Sequence, residues 1–360
     1  MKIVVTGTRG IPNILGGVET HCEELFPLIA EKGFEITLIR RKSYANDDLT
    51  EYKGVRLLDI DAPHKKAFEA FVHTARAVWT ARFRFHADII HIHAVGPALL
   101  VPLARLLGMK VVFTHHGPDY NRDKWGKLAR FMLRTGERLG VKYADEIIVI
   151  SNVINDLIQK KYNRCDAHVI YNGVPKPVFV TRNDYLDTWG IQPGRFIFAM
   201  GRFVPEKNFH RLIQAFSSIR QDKIKLVLAG DADFEDDYSK RLKVQAAQNG
   251  VVLTGFVKGD KLQTLLSNAR TFVLPSSHEG LPISLLEAMS YGLPVIVSDI
   301  PANREVGLDE SVYFKVEDYN RLTLLLENAM RETFWPIQYS MENYQWETIA
   351  VQTIEVYKDL

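Results

Sequence analysis

The strongest constraint on this chain is its rhythm. Short β-branched runs at 3–6, 36–39, 55–58, 89–92, 111–114 and 147–150 alternate with amphipathic stretches such as 18–31 and 128–143. Runs of that length separated by helical segments are the mark of parallel βαβ units. A further strand-like run at 167–171 leads into Asn172-Gly173-Val174-Pro175-Lys176-Pro177, whose turn dipeptide and two prolines read as a linker. The rhythm then restarts, with strands expected at 196–200, 225–229, 251–254, 271–274 and 295–298. The expectation is an α/β protein of two Rossmann-like doubly wound domains, 1–174 and 175–360, facing across a cleft. Ligands of such sheets bind at the carboxyl edges of the strands. The tail 335–360 carries Tyr344, Trp346, Ile349, Val356 and Tyr357, a stripe suited to a final helix that packs back toward the first domain.

Composition narrows the class. A chain of 360 residues with 46% apolar and 24% charged residues is an ordinary globular protein, long enough for two cores. Two cysteines, Cys22 and Cys165, make neither a disulfide framework nor a metal site, which fits a reducing cytoplasmic location. The N-terminal apolar run is too short for a signal-peptide core, and no eighteen-residue apolar stretch exists to span a membrane. The net charge of +2 hides a cancellation, because residues 1–170 hold 25 Lys and Arg against 19 Asp and Glu, and the remainder 20 against 24. Near-neutrality argues against a nucleic-acid partner.

Chemistry concentrates at strand ends. Pro275-Ser276-Ser277-His278-Glu279-Gly280-Leu281-Pro282-Ile283-Ser284-Leu285-Leu286-Glu287 follows a strand and opens a helix. With Pro282 as the first helical residue, amides of Gly280, Leu281, Ile283 and Ser284 can meet a phosphate, helped by the helix dipole. Glu287 lies about 7 Å further along the axis, a span suited to a ribose diol, and Glu279 can reach a sugar. The alternative is a solvated loop acid and a surface helix residue. In Gly201-Arg202-Phe203-Val204-Pro205-Glu206-Lys207, the cations Arg202 and Lys207 can grip a diphosphate from two sides, or Lys207 can simply pair with an acid.

In the first half, Gly16-Gly17 at a helix start lets backbone approach an anion, although the stretch is not Gly-x-Gly-x-x-Gly. Neighbouring residues on a strand point opposite ways, so only one of His115 and His116 faces the edge. His116, before a glycine turn, is the candidate, and a structural histidine is the alternative. His91 and His93 read as structural. Asp231-Ala232-Asp233 matches an Asp-x-Asp metal pair in form, but a loop or capping role fits better beside two cations, and no metal is expected.

Taken in order, these motifs resemble the retaining glycosyltransferases of the GT-B fold, glycosyltransferase family 4 (group 1). Glu279 and Glu287 are similar to that family's two glutamates with seven residues between them, and Gly201-Arg202 with Lys207 to its phosphate-binding cations. Gly7 to Thr20 and His116-Gly117-Pro118-Asp119-Tyr120-Asn121-Arg122-Asp123-Lys124-Trp125-Gly126 resemble a rhamnosyltransferase-like bacterial subgroup that builds surface polysaccharides. Asn13-Ile14-Leu15 departs from the subgroup's usual Ala-Arg-Tyr.

The resemblance implies that Glu279 binds the sugar hydroxyls and Glu287 the ribose, with Gly280, Leu281, Pro282 and Ile283 shaping the phosphate contact. It implies that Arg202 and Lys207 hold the diphosphate, that Gly17 approaches it from the other domain, and that His116 contacts the sugar. Backbone near Gly255-Phe256-Val257 would meet the base. It further implies metal-independent, retaining transfer of a hexose or deoxyhexose from a nucleoside-diphosphate sugar to a saccharide or polyprenyl-diphosphate-linked acceptor, with no resident cofactor. An epimerase or phosphorylase on the same fold, or a non-catalytic nucleotide-sugar-binding scaffold, are the competing readings. Basic aromatic stretches at 64–86 and 122–142 suit contact with an anionic membrane at the inner face of the plasma membrane, or equally helices packed on their own sheet with solvated basic faces.

Overall fold

A computed structural model describes the chain except for residues 46, 64–65, 122–124, 182–183, 220–222, 234 and 332–335 and the side chains of 66–68. It divides into two units, Met1–Gly173 with Asn343–Leu360, and Val174–Glu342.

The first unit is a sheet of eight strands: β1 (Lys2–Thr6), β2 (Glu35–Arg41), β3 (Glu51–Tyr52), β4 (Val55–Ile60), β5 (Ile89–His93), β6 (Lys110–His115), β7 (Glu146–Val149) and β8 (His168–Val169). Their order is β3-β4-β2-β1-β5-β6-β7-β8, and every pair but β3–β4 is parallel. Helices on both faces explain why the strands read as continuous apolar runs rather than alternating ones. All five residues of β5 are buried, its two histidines included.

The second unit is a six-stranded sheet of β9 (Phe196–Met200), β10 (Lys225–Ala229), β11 (Val252–Gly255), β12 (Thr271–Leu274), β13 (Val295–Ser298) and β14 (Tyr313–Phe314). It is wholly parallel, in the order β11-β10-β9-β12-β13-β14. In both units the strand order reverses beside the first strand, which is the place where open α/β sheets leave room for a ligand.

Two sequence expectations need amending. The domain boundary falls where the linker was read, but 343–360 belongs to the first unit, so the range 175–360 is too long at its end. The cause is the stripe on helix Trp346–Lys358: Trp346, Ile349, Ala350, Ile354 and Tyr357 are buried in the first unit's core beside Leu25, Phe26 and Ile29 of helix Gly17–Glu31. Each of the isoleucines contributes roughly 1.5–3 kcal/mol on burial. The Tyr357 hydroxyl also reaches His91 Nδ1 at 2.6 Å. Second, Pro282 is the cap residue and Ile283 opens the helix Ile283–Ser290. Pro282 has extended backbone angles, φ −75° and ψ 107°, so the chain enters the helix one residue later than expected.

Candidate functional site

At the carboxyl edge of the second sheet, three strand ends converge through backbone. Gly201 N–H donates to Ala229 O at 2.9 Å, Gly230 N–H to Gly255 O at 2.8 Å and Phe203 N–H to Asp231 O at 2.9 Å. The approach is so close that a Cβ on Gly230, where φ is +132°, would lie 1.9 Å from Gly201 O. After β9 the chain turns through a short 3-10 turn, Pro205–Lys207. That turn is tied to the loop after β12: Ser277 N–H donates to Glu206 O at 2.9 Å and Asn208 Nδ2 to Pro275 O at 3.1 Å.

This stitching brings together two of the sequence's candidates from 72 residues apart. Lys207 Nζ lies 2.5 Å from Glu279 Oε1, both side chains mostly shielded from solvent. Arg202 pairs with Asp233 at 3.1 Å, and Asp231 with Lys243 at 2.9 Å. The Asp-x-Asp pair is thus engaged by cations, in keeping with a loop role. Leu281 and Ile283 are buried and Gly280 half-buried. Ile283 and Ser284 supply first-turn amides that have no partner within the helix. Ser284 and Glu287 stand half-exposed on a helix that is otherwise buried up to Met289, so Glu287 occupies the one accessible face. Gly255, Phe256 and Val257 lie at the end of β11, two strands away from β9. Phe256 is exposed and Val257 buried.

At the carboxyl edge of the first sheet, the loop after β1 is held by Glu19, which accepts from Thr8 Oγ1 at 3.2 Å and pairs with Arg9 at 3.0 Å. Gly16 caps the helix and Gly17 is its first residue, exposed, with no atom within 4 Å of a Cβ placed there. The helix therefore starts where the sequence placed it. The sequence reading missed Glu19, although an acid in the first turn is a readable sign.

The histidines separate by role. His115 accepts from Gly117 N–H at Nδ1, 3.0 Å, and lies 3.0 Å from Glu137 Oε1 through Nε2. Glu137 also binds Lys161, Tyr120 and Tyr162. Burial alone would raise its carboxyl, but bonds to His115, Lys161 and Tyr162 hold it at about 2. His115 is consequently structural, and His116 is the half-buried member of the pair. His116 Nε2 lies 2.9 Å from His93 Nδ1, and His21 approaches it edge-on at 4.9 Å between ring centroids. His21 Nδ1 is bonded to Asn172 Oδ1 at 3.0 Å. Burial, reinforced by neighbouring imidazoles, pushes His93 and His116 well below the usual histidine range, and burial takes His21 to about 4. The edge thus carries neutral imidazoles. His91 is held by Tyr357 and Thr114, each at 2.6 Å, and is structural as expected. His93, also read as structural, touches the candidate itself. His21 and Asn172 were missed, since nothing in the sequence connects a helix residue to a turn 151 positions away. Arg122, Asp123 and Lys124 of the motif after His116 lie outside the described residues.

Two doubly wound α/β units, each with its polar residues at the carboxyl edge, place the protein in the GT-B class of folds. The sucrose-phosphate synthase of Thermosynechococcus elongatus superposes with a TM-score of 0.84 at 19% identity, over 99% of this chain and 98% of that one. Residues 15–176 match the profile of Glycosyltransferase Family 4 and residues 184–342 that of Glycosyl transferases group 1. The chain belongs to this family of glycosyltransferases. An uncharacterised glycosyltransferase of Methanocaldococcus jannaschii is 26% identical over 99% of this chain and 98% of its own length. The UDP-Gal:alpha-D-GlcNAc-diphosphoundecaprenol alpha-1,3-galactosyltransferase of Escherichia coli is 26% identical over 88% of this chain and 84% of its own.

Proposed function

We propose that this glycosyltransferase moves a hexose or deoxyhexose from a nucleoside-diphosphate sugar to a saccharide or polyprenyl-diphosphate-linked acceptor during surface-polysaccharide assembly, with retention at the anomeric carbon and no metal. The observation that carries it is the Lys207–Glu279 pair beside Arg202 and the first turn of helix Ile283–Ser290. Cations and helix amides together offset the charge that gathers on a leaving diphosphate, the main electrostatic task in an oxocarbenium-like transition state. When the diphosphate occupies the edge, Lys207 and Arg202 turn from their carboxylates toward phosphate oxygens, and Glu279 is released to accept from sugar hydroxyls. Glu287 is assigned to the ribose, Gly255 to Val257 to the base, Gly17 to the diphosphate and His116, as a neutral donor or acceptor, to a sugar hydroxyl. The galactosyltransferase relative supports a nucleotide-sugar donor and a lipid-linked acceptor, since its name states both.

The test is a panel of nucleotide sugars and saccharide or lipid-linked acceptors in EDTA, with NMR of the product linkage. Turnover with the anomeric configuration of the donor is expected. Inversion, or a strict need for a divalent ion, would contradict the mechanism.

A peripheral contact with anionic membrane at the inner face of the plasma membrane belongs to the same proposal. No helix among the described residues is long and apolar enough to cross a membrane. What supports a surface contact is exposed Trp79, Phe83 and Leu128, and exposed Phe131 in a groove lined by Arg134, Arg138, Lys142, Lys160, Lys161 and Arg164. His64, Lys65 and the side chains of Lys66 and Phe68 lie outside the described residues. Equal sedimentation with neutral and anionic vesicles at low salt would refute it.

A further inference from the structure

We propose that His21, His93 and His116 form a binding site for a late first-row divalent cation, Zn²⁺ above all. One ring nitrogen from each of the three lies within 4.8 Å of the others. They arrive from a helix start, the end of β5 and the residue after β6, so the arrangement is a product of the fold and no spacing in the sequence announces it.

The proton inventory favours a cation. His21 Nδ1 faces the carbonyl oxygen of Asn172 at 3.0 Å, so Nδ1 carries the proton and Nε2 a lone pair. The contact between His93 Nδ1 and His116 Nε2, 2.9 Å, has room for one proton between two nitrogens. Three neutral imidazoles hold three lone pairs, of which the hydrogen-bonded pair uses one, whereas a metal ion accepts one from each ring. Asn172 on the far nitrogen of His21 is the outer-shell contact that fixes tautomer and ring orientation in metal-binding histidines. His91 stacks on His93 at 4.2 Å between centroids but has both nitrogens engaged, so it is no ligand.

The geometry requires little change. Tetrahedral Zn²⁺ with bonds of about 2.0–2.1 Å sets adjacent nitrogens about 3.3 Å apart. The His93–His116 pair opens by a few tenths of an ångström, and the third nitrogen closes by up to about 1.5 Å through side-chain rotation. Half-buried His116 leaves access for the ion and for a water as fourth ligand. Imidazole donors select Zn²⁺ over Mg²⁺. The ion is no cofactor of the transfer. It engages His116, which on the transferase reading serves the sugar, and so acts as an inhibitor. Only that last clause rests on the proposed function.

The experiment uses the full chain carrying Cys165→Ser, because that cysteine is exposed and would bind metal itself. Equilibrium dialysis is expected to give one Zn²⁺ per chain and no bound Mg²⁺. Co²⁺ is expected to give tetrahedral visible bands without a thiolate charge-transfer band. His21→Gln and His93→Gln should each weaken binding by about 100-fold or more, and Asn172→Ala by about 10-fold, with melts in EDTA confirming that each variant folds. Background metal only in the parent protein, or unweakened binding in both histidine variants, would overturn the site. Zn²⁺ should also inhibit transfer by the parent and spare His21→Gln. Stoichiometric binding without inhibition would support the site and overturn the placement of His116 against the sugar.

Discussion

The two units share one architecture and furnish their strand edges in opposite ways. The second presents ion pairs, Lys207 with Glu279 and Arg202 with Asp233. The first presents, beside the Arg9–Glu19 pair, neutral imidazoles packed against each other, with an ion network around Glu137 set behind His115. A diphosphate needs positive charge that can exchange one anion for another, and ion pairs at the strand edge provide it. A sugar hydroxyl needs a positioned donor or acceptor whose charge does not change, and a buried imidazole provides that. The contrast teaches that the shared topology supplies only the location, while the local dielectric decides what each edge can hold.

The comparison breaks first at Lys207. Lys207→Ala and Glu279→Ala should each lower kcat/KM for transfer by about 10²–10³-fold. Because the two side chains touch, the double variant should lose less than the product of the single losses. Additive losses would mean that the pair does not act as a unit.

Glycines sharpen it next. Gly230→Ala forces a Cβ within 1.9 Å of a backbone oxygen at positive φ and should destabilise the second unit by about 3 kcal/mol or more. Gly17→Ala meets open space and should leave the unfolding midpoint unchanged or slightly raised while slowing transfer about 10-fold, if backbone must approach the donor there. Denaturant melts and rates on the two variants separate a packing glycine from a binding one.

Glu137→Gln should cost the first unit about 2–3 kcal/mol, since it leaves His115 and Lys161 without their carboxylate, the cost being moderated by the 40% exposure of Lys161.

The smallest effect is in pH. His21 is held at about 4, below its ordinary 6.5, so the unfolded chain takes up a proton first and stability declines as pH falls from 6.5 toward 4. Glu137, held at about 2 against an ordinary 4.5, adds stability that is complete above 4.5 and lost as pH falls toward 2. Both slopes have the same sign. Hydrogen exchange should therefore show protection in the first unit falling as pH drops from 6.5 toward 4 through His21, and falling further below 4.5 through Glu137.

Legibility followed the range of the interaction. Strands, the linker at 172–177, the helix start at Gly17 and, to within one residue, the one at Pro282 were readable because turns, caps and periodicity act within a few residues. The pairing of Lys207 with Glu279, the Glu137 network and the His21–His93–His116 cluster were not, because each joins segments from different βα units. The return of helix Trp346–Lys358 to the first unit was readable as an apolar stripe, while the range that counted it in the second domain followed sequence order rather than packing.

The central claim is that the edge around Lys207 and helix Ile283–Ser290 binds a nucleoside diphosphate without metal. Calorimetric titration of the nucleoside diphosphate whose sugar turns over, in EDTA, into the wild-type chain and into Lys207→Ala tests it most directly. The account predicts saturable binding in the wild type and a Kd raised by about 10–100-fold in the variant, the loss of one charge-assisted contact. Equal affinity in both, or binding that vanishes in EDTA, would contradict it.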